Sequence, residues 1–292
     1  MKLTDKHHSK TSRVLIYGEP KSGKTQLAAA LSSHFDLLFF DLENGYETLL
    51  KLPRIQQERI ELISVPDTKV FPIAIETMLK VITGVKTRIC EIHGKVECQL
   101  CKKAEPAGIF SEVCLNDLPT TSIVVVDSLT QLSNSAMNHL TKNQEELYRP
   151  EWGDYRNQGQ LLDKFLSQIQ QAKFNVICIT HVVESQQEDG KAKLFPVCGT
   201  TQFSRNTAKY FDHVVYCDVK NKKHNFASST TYANNVMSGS RLDIALEAKA
   251  EATLLDIFAS KNLGTAVEDK GDSPAQNAVA NLKARLVVGA TK

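Results

Sequence analysis

The most restrictive feature of this chain is Gly18-Glu19-Pro20-Lys21-Ser22-Gly23-Lys24-Thr25, a complete G-x-x-x-x-G-K-[ST] phosphate-binding loop. It follows the apolar run Val14-Leu15-Ile16-Tyr17 and leads into Gln26-Leu27-Ala28-Ala29-Ala30-Leu31, mostly good helix formers. Strand, glycine-rich turn and helix in that order form the context in which the motif binds nucleotide. Loop N–H groups, backed by the positive end of the helix, can surround a β-phosphate. Gly18, Glu19, Pro20, Lys21, Ser22, Gly23, Lys24, Thr25 and Gln26 are therefore the candidate nucleotide-binding residues. Lys24 would reach the β- and γ-phosphates, and the Thr25 hydroxyl would hold Mg²⁺. A nucleoside triphosphate is the implied ligand.

Around this loop, apolar and amphipathic stretches alternate. Strands are expected at 13–17, 37–40, 60–65, 122–127, 175–180 and 213–217. Helices are expected at 24–34, 72–82, 129–140, 159–172, 201–211 and 248–260, with a hairpin at 230–246 and a weak amphipathic helix at 278–288. The continuous run Ile123-Val124-Val125-Val126 suits a central parallel strand buried on both faces. Such alternation predicts an α/β, three-layer fold with a mainly parallel sheet, and ligands gather at the carboxyl ends of its strands. The expected organisation is a flexible N-terminus over 1–12, an ATPase core over 13–250 interrupted by a cysteine-rich insertion at 86–118, and a C-terminal helix and flexible tail over 251–292.

Three carboxylate or imidazole side chains fall at predicted strand ends. Asp127 closes its apolar run, where a carboxylate can hold Mg²⁺ through water. It could instead cap the next helix, although Ser128 can do that as well. Glu43 follows the second strand and could deprotonate an attacking water, with Asp41 as its competitor. His181 ends the strand after Asp127 and could sense a γ-phosphate, or be an ordinary strand-end histidine.

The insertion carries Cys90-x-x-His93-x-x-x-x-Cys98-x-x-Cys101, with Cys114 beyond. Three thiolates and an imidazole satisfy tetrahedral Zn²⁺, and C-x-x-C spacing lets both sulfurs face one ion. Gly94 supplies the tight turn that such knuckles need. The segment has few large apolar residues, so metal could provide its folding energy as a structural ion. Cys114 is an alternative ligand, and a reduced cysteine loop without metal is the competing reading. With seven cysteines, an odd number, the chain does not read as a secreted disulfide framework. No apolar run reaches membrane-spanning length, and the start of the chain lacks a signal-peptide core, so a reducing cytoplasm and no membrane are expected.

The order Gly-Glu-Pro-Lys-Ser-Gly-Lys-Thr, Phe-Asp-Leu-Glu-Asn-Gly, Val-Val-Val-Asp-Ser-Leu and Ile-Thr-His resembles the RecA-type ATPase core over about residues 12–250. It is especially similar to the short RecA-core recombination proteins of tailed phages that pair with single-strand annealing systems. The resemblance implies that Lys24, Glu43, Asp127 and His181 are catalytic, with Glu43 the base and His181 the γ-phosphate switch. It implies DNA-binding loops at 182–199 and 132–157, and a host-cytoplasm setting. His181 stands where bacterial RecA has glutamine. Assembly as ring or filament stays open.

Single-stranded DNA is the expected partner, with self-association and a single-strand DNA-binding protein as further partners. The net charge of +2 requires any polyanion site to be a local patch. In one loop Lys191 and Lys193, followed by Arg205 and Lys209, are offset by Glu184, Glu188 and Asp189. In the other, Arg149, Trp152, Tyr155 and Arg156 mix aromatics with cations, as base stacking requires, unless Trp152 packs on the sheet. Lys220, Lys222, Lys223 or Arg241 could reach a neighbouring subunit's γ-phosphate. The rival functions are a helicase-loader or KaiC-like ATPase with a protein partner, and a small-molecule P-loop kinase.

Overall fold

A computed structural model describes residues 11–104, 108–186, 192–228, 235–241 and 254–262. The first elements are β1 (Arg13–Gly18), α1 (Lys24–Ala29), β2 (Asp36–Asp41), α2 (Arg54–Gln57), β3 (Ile60–Ser64) and α3 (Ala74–Val81). The insertion contributes β4 (Thr87–Cys90), α4 (Gln99–Lys103) and β5 (Phe110–Val113). Next come β6 (Ser122–Asp127), α5 (Leu129–Thr141), α6 (Trp152–Gln171), β7 (Asn175–Gln186) and β8 (Ala192–Pro196). Then follow α7 (Thr201–Asn206), β9 (His213–Lys220), β10 (Lys223–Ala227), β11 (Gly239–Ser240) and α8 (Leu255–Asn262).

The main sheet runs β10-β9-β1-β7-β6-β2-β3. Neighbours from β9 to β3 are parallel, whereas β10 and β11 lie antiparallel on β9 and β8 antiparallel on β7. Alternate residues of each strand supply the two faces. Leu15, Tyr17, Leu38, Phe40, Val124, Val126 and Val176 pack with Met78, Leu132, Phe165 and Leu166 of α3, α5 and α6. Val14, Ile16, Leu37, Phe39, Ile123, Val125 and Ile177 pack with Leu27 and Ala28 of α1 and Ile257 and Phe258 of α8. This makes a three-layer α/β fold, and each fully buried leucine, isoleucine or phenylalanine contributes about 1.5–3 kcal/mol by leaving water.

Register decides where the chemistry goes. Asp41 pairs with Asp127, Asp127 with Ile179, and Gly18 with both His181 and Cys217. Five strands, β1, β2, β6, β7 and β9, are therefore level at one rim of the sheet, where β1, β2 and β6 end.

Several elements depart from expectation. The helix expected at 159–172 begins at Trp152, because Glu151 and Asp154 form a capping box and Tyr148 Oη donates to Asp154 Oδ2 at 2.6 Å. Most of the segment expected as a loop at 132–157 is thus helical, in α5 and the first turns of α6. The loop expected at 182–199 is largely an antiparallel hairpin, since β7 continues past His181 and β8 folds back on it. The helix expected at 201–211 ends at Asn206 and tightens into a 3₁₀ turn to Tyr210. Of the hairpin expected at 230–246, β11 is present, and of the helix at 248–260, α8. Residues 1–10, Glu188, Asp189, Lys191, the helix expected at 278–288 and the tail lie outside the described residues. No helix among the described residues is long and apolar enough to cross a membrane.

Candidate active site

The phosphate loop needs its two glycines for different reasons. A Cβ on Gly18 would sit 2.0 Å from the Cys217 carbonyl oxygen, so only glycine lets β1 and β9 approach there. Gly23 adopts φ +92°, in the left-handed region. Lys24 is buried and folded back, its Nζ donating to the carbonyls of Gly18 at 3.0 Å and Glu19 at 2.7 Å. Burial pushes its ammonium below the ordinary lysine value, with Asp127 and Glu43 among the groups opposing the shift. Ser22 Oγ is buried and makes no hydrogen bond among the described residues. From outside, His224 of β10 donates from Nδ1 to the Ser22 carbonyl at 2.9 Å.

The candidate metal-binding pair is assembled by the register. Thr25 Oγ1 donates to Asp127 Oδ2 at 2.7 Å. Burial pushes the Asp127 carboxyl up to about 6, a shift that Thr25 opposes and Glu43 and Asp41 reinforce. A divalent cation would relieve that cost, because it restores charge to a carboxylate that burial disfavours. The buried Ser22 hydroxyl, the folded-back lysine and this hydroxyl–carboxylate pair all fit a nucleoside triphosphate with Mg²⁺.

Glu43 and Asp41 have separate jobs. Asp41 is buried and accepts from the backbone N–H groups of Glu43, Gly45 and Tyr46 at 3.0–3.1 Å, so its carboxylate shapes the turn after β2. That turn holds Glu43 over the rim. Glu43 Oε1 accepts from Ser128 Oγ and lies 3.6 Å from His181 Nε2. Burial would raise the Glu43 carboxyl, but His181 and Ser128 outweigh it and hold the group below the usual glutamate value. Ser128 also caps α5, accepting from Gln131 N at 3.2 Å.

His181 is fixed through its backbone: its N–H donates to Thr130 Oγ1 at 3.0 Å, and Thr130 Oγ1 shares a hydrogen with Thr180 Oγ1 at 2.9 Å. Its Nδ1 is buried and makes no hydrogen bond among the described residues. Leu42, Glu43, Asn44, Asp67, Thr130, Gln131, Asn134 and His181 line an open polar pocket of about 380 Å³. Lys24, Thr25, Glu43, Asp127 and His181 are therefore gathered at one rim. Ser128's contact with Glu43, the Thr130–Thr180 pair, Asp67 and His224 were not found from sequence. Each acts across the sheet, and no local spacing announces it.

A family model described as an AAA domain matches residues 10–242, which is most of the chain. The chain belongs to the AAA domain family. Its P-loop ATPase core accordingly accounts for the nucleotide-binding geometry. No curated protein matches this AAA domain protein. One solved structure, an ATPase from the type III secretion system of pathogenic bacteria, is similar with a TM-score of 0.45 and 12% identity, over 93% of this chain and 73% of that one. At that distance the likeness bears on neither substrate nor partner.

The remaining candidates are placed as follows. Trp152 is 84% exposed, so it does not pack on the sheet, and Tyr155, Arg149 and Arg156 are exposed beside it in sequence. Lys193 and Arg205 both lie over the Phe195 ring of β8, and Arg205 also donates to Ser185 Oγ at 2.9 Å. Lys220, Lys222 and Lys223 surround the β9–β10 turn on the P-loop side of the sheet, where Asn221 and Lys222 take positive φ. Lys220 pairs with Asp218 at 3.2 Å. Arg241 sits at the opposite rim, donating to the Lys209 carbonyl at 2.8 Å and lying 3.8 Å from Asp212. Cys90, His93, Cys98 and Cys101 converge, each ligand atom within 4.8 Å of the others. Cys114 stays outside that group and donates to the Gly84 carbonyl at 3.3 Å.

Proposed function

We propose that the chain is an ATP-hydrolysing, RecA-like recombination protein of the short phage type that acts on single-stranded DNA, in annealing or strand exchange. The single observation that carries this reading is the contact between His181 and Glu43. His181 touches the candidate base and stands where β7 leaves the rim and runs into the β7–β8 hairpin. A side chain so placed can report the state of the nucleotide to a hairpin that bears Lys193 and packs against Arg205.

In this reading Lys24 exchanges the Gly18 and Glu19 carbonyls for phosphate oxygens. Thr25 and Asp127 would hold Mg²⁺, which would supply charge neutralisation to the triphosphate. Glu43 accepts the proton of the attacking water, and Ser128 keeps its carboxylate aimed at the rim. The four-donor cluster of the insertion takes no part in hydrolysis. With four protein donors it would leave no open position for water, so a Zn²⁺ ion held there would be structural. ATP binds between subunits of a ring or filament in the cytoplasm, with a lysine of the β9–β10 turn reaching the neighbouring site.

The test is the ATPase rate of wild type and Lys24→Ala with and without single-stranded DNA, together with DNA affinity in the presence and absence of ATP. Stimulation by DNA, and tighter DNA binding with ATP, are expected for wild type alone. Hydrolysis that ignores DNA, with co-purification of a helicase, would favour the protein-partner ATPase instead. Phosphate transfer to a small acceptor would favour a kinase.

A further inference from the structure

The 86–118 insertion is rooted in the main core through Ile89, Val96, Val113 and Leu115, but its donor end has little apolar packing. Among the described residues its internal buried cluster consists of Cys90, Cys98 and Cys101, with Phe110 against it. Ile92, Leu100 and Ile109 are exposed. Three buried thiols around one imidazole make a poor core by themselves, because sulfhydryls pack as small hydrophobes and donate weakly.

The geometry is that of a cation site. His93 Nδ1 lies 3.1 Å from Cys101 Sγ, 3.7 Å from Cys98 Sγ and 3.8 Å from Cys90 Sγ. One ring nitrogen cannot satisfy three sulfurs with one proton. A tetrahedral Zn²⁺ with ordinary Zn–S and Zn–N bonds separates nitrogen from sulfur by about 3.5 Å, in the middle of these values. The backbone supports the same centre: His93 N–H points at Cys90 Sγ at 3.4 Å, and the Leu100 and Cys101 N–H groups point at Cys98 Sγ. Glu97 and Gly94 take positive φ, which turns the chain sharply on either side of the donors.

The knuckle also touches the ATPase core. Gly94 lies so close to the end of β3 that a Cβ there would be 2.6 Å from Val65 Cα and 2.9 Å from the Ser64 carbonyl oxygen. Thr77 Oγ1 of α3 donates to the Gly94 carbonyl at 2.9 Å. The β3–α3 connection that these contacts bracket holds Asp67, whose carboxylate accepts from Ala74 N, Ser135 Oγ and Gln131 Nε2 at 2.7–3.0 Å. Asp67 and Gln131 form one wall of the pocket that Glu43 and His181 line.

We infer that Cys90, His93, Cys98 and Cys101 bind one Zn²⁺ ion, and that this ion clasps the insertion onto the β3–α3 connection and so fixes the Asp67 wall of the catalytic pocket. Occupancy of the site is independent of the recombination reading. Only the effect of the clasp on hydrolysis rests on the ATPase assignment.

The experiment uses the full chain purified under reducing conditions from zinc-supplemented medium. Metal analysis should give about one zinc per chain, and Cys114→Ser should leave that ratio unchanged. Exchange with Co²⁺ should produce the visible bands of a tetrahedral site with thiolate charge transfer. Paired Cys98→Ser and Cys101→Ser substitutions should lose the metal and expose residues 86–118 to protease. Thr77→Val cuts the clasp without touching a ligand, so it should keep the zinc and lower kcat several-fold. A metal-free wild type without a cobalt spectrum, or a Cys98–Cys101 disulfide in its place, would overturn the site. Full zinc with unchanged kcat in Thr77→Val would overturn the clasp. Loss of all wild-type hydrolysis with full zinc would instead count against the ATPase assignment.

Discussion

The nucleotide rim and the cysteine insertion are both small polar constellations, yet they are built in opposite ways. At the rim, Gly18, Asp41, Asp127 and His181 are placed by strands whose interiors are fully buried on both faces. Polar residues there sit in positions that the apolar core has already fixed. In the insertion, Ile89, Val96, Val113 and Leu115 anchor to the main core, but the donor end has almost no core of its own and the four donors are themselves its centre. A site held by a scaffold survives loss of its ligand, whereas a site that is its own scaffold does not.

The sharpest break of this comparison comes from Lys24→Ala and Glu43→Gln. Each should lower kcat by about 100- to 1,000-fold, the usual scale for losing an electrostatic stabiliser or a general base. Thermal unfolding and metal content should stay near wild type, because Lys24 bonds only carbonyls of its own loop and Glu43 bonds at the rim, both outside the apolar core. Steady-state phosphate release beside a melting curve checks both. A large loss of stability would show that the rim is less scaffolded than its register suggests.

The next effect is a pH dependence confined to the rim. Burial moves the Asp127 carboxyl from its ordinary 3.8 up to about 6. Between those values the folded chain holds a proton that the unfolded chain has released. Stability from this group is therefore fully present below about pH 4 and is lost as pH rises through about 6, on the order of 1–3 kcal/mol. Denaturant titrations of wild type and Asp127→Asn from pH 4.5 to 7.5 should differ by that slope. Mg²⁺ with ATP should flatten the wild-type curve.

A pair of glycines sharpens the contrast in packing. Gly94→Ala puts a side chain at φ +61° against Val65 and should destabilise the protein by about 1–3 kcal/mol. Gly45→Ala, at φ −91° with nothing within 4 Å of the new methyl group, should be nearly neutral. Calorimetry of the two variants measures the difference directly. Equal melting temperatures would mean that the knuckle does not press on β3.

Much of the rim is legible in the sequence because parallel strands announce themselves as apolar runs and carry their functional residues at their ends. The choice between Asp41 and Glu43 is not legible, since it depends on three backbone N–H groups that only the folded turn presents. The four donors of the insertion are legible from spacing, but the exclusion of Cys114 depends on its reaching the Gly84 carbonyl instead. The start of α6 is not legible because its capping box is Glu151 with Asp154, not the serine or threonine form. For the same reason the sequence places Trp152 in a loop, whereas it opens the helix.

The smallest expected effect concerns that tryptophan and bears on the proposed partner. Trp152 stands 84% exposed in the first turn of α6, and Leu147 just before the helix is 90% exposed. A residue so exposed contributes little to folding, so Trp152→Ala should change stability by no more than about 0.5 kcal/mol. If it stacks on a base, the same change should weaken single-stranded oligonucleotide binding by about tenfold, within the usual range for one stacking contact. Its salt dependence should be unchanged, because an indole neutralises no phosphate. Arg156→Ala should instead reduce the salt slope by about one unit, the signature of one lost phosphate contact. Fluorescence anisotropy over a salt series reads both quantities. An unchanged affinity in both variants would remove the α5–α6 arm from the DNA path and leave the β7–β8 hairpin, reached through His181, as the surface on which the DNA reading must stand.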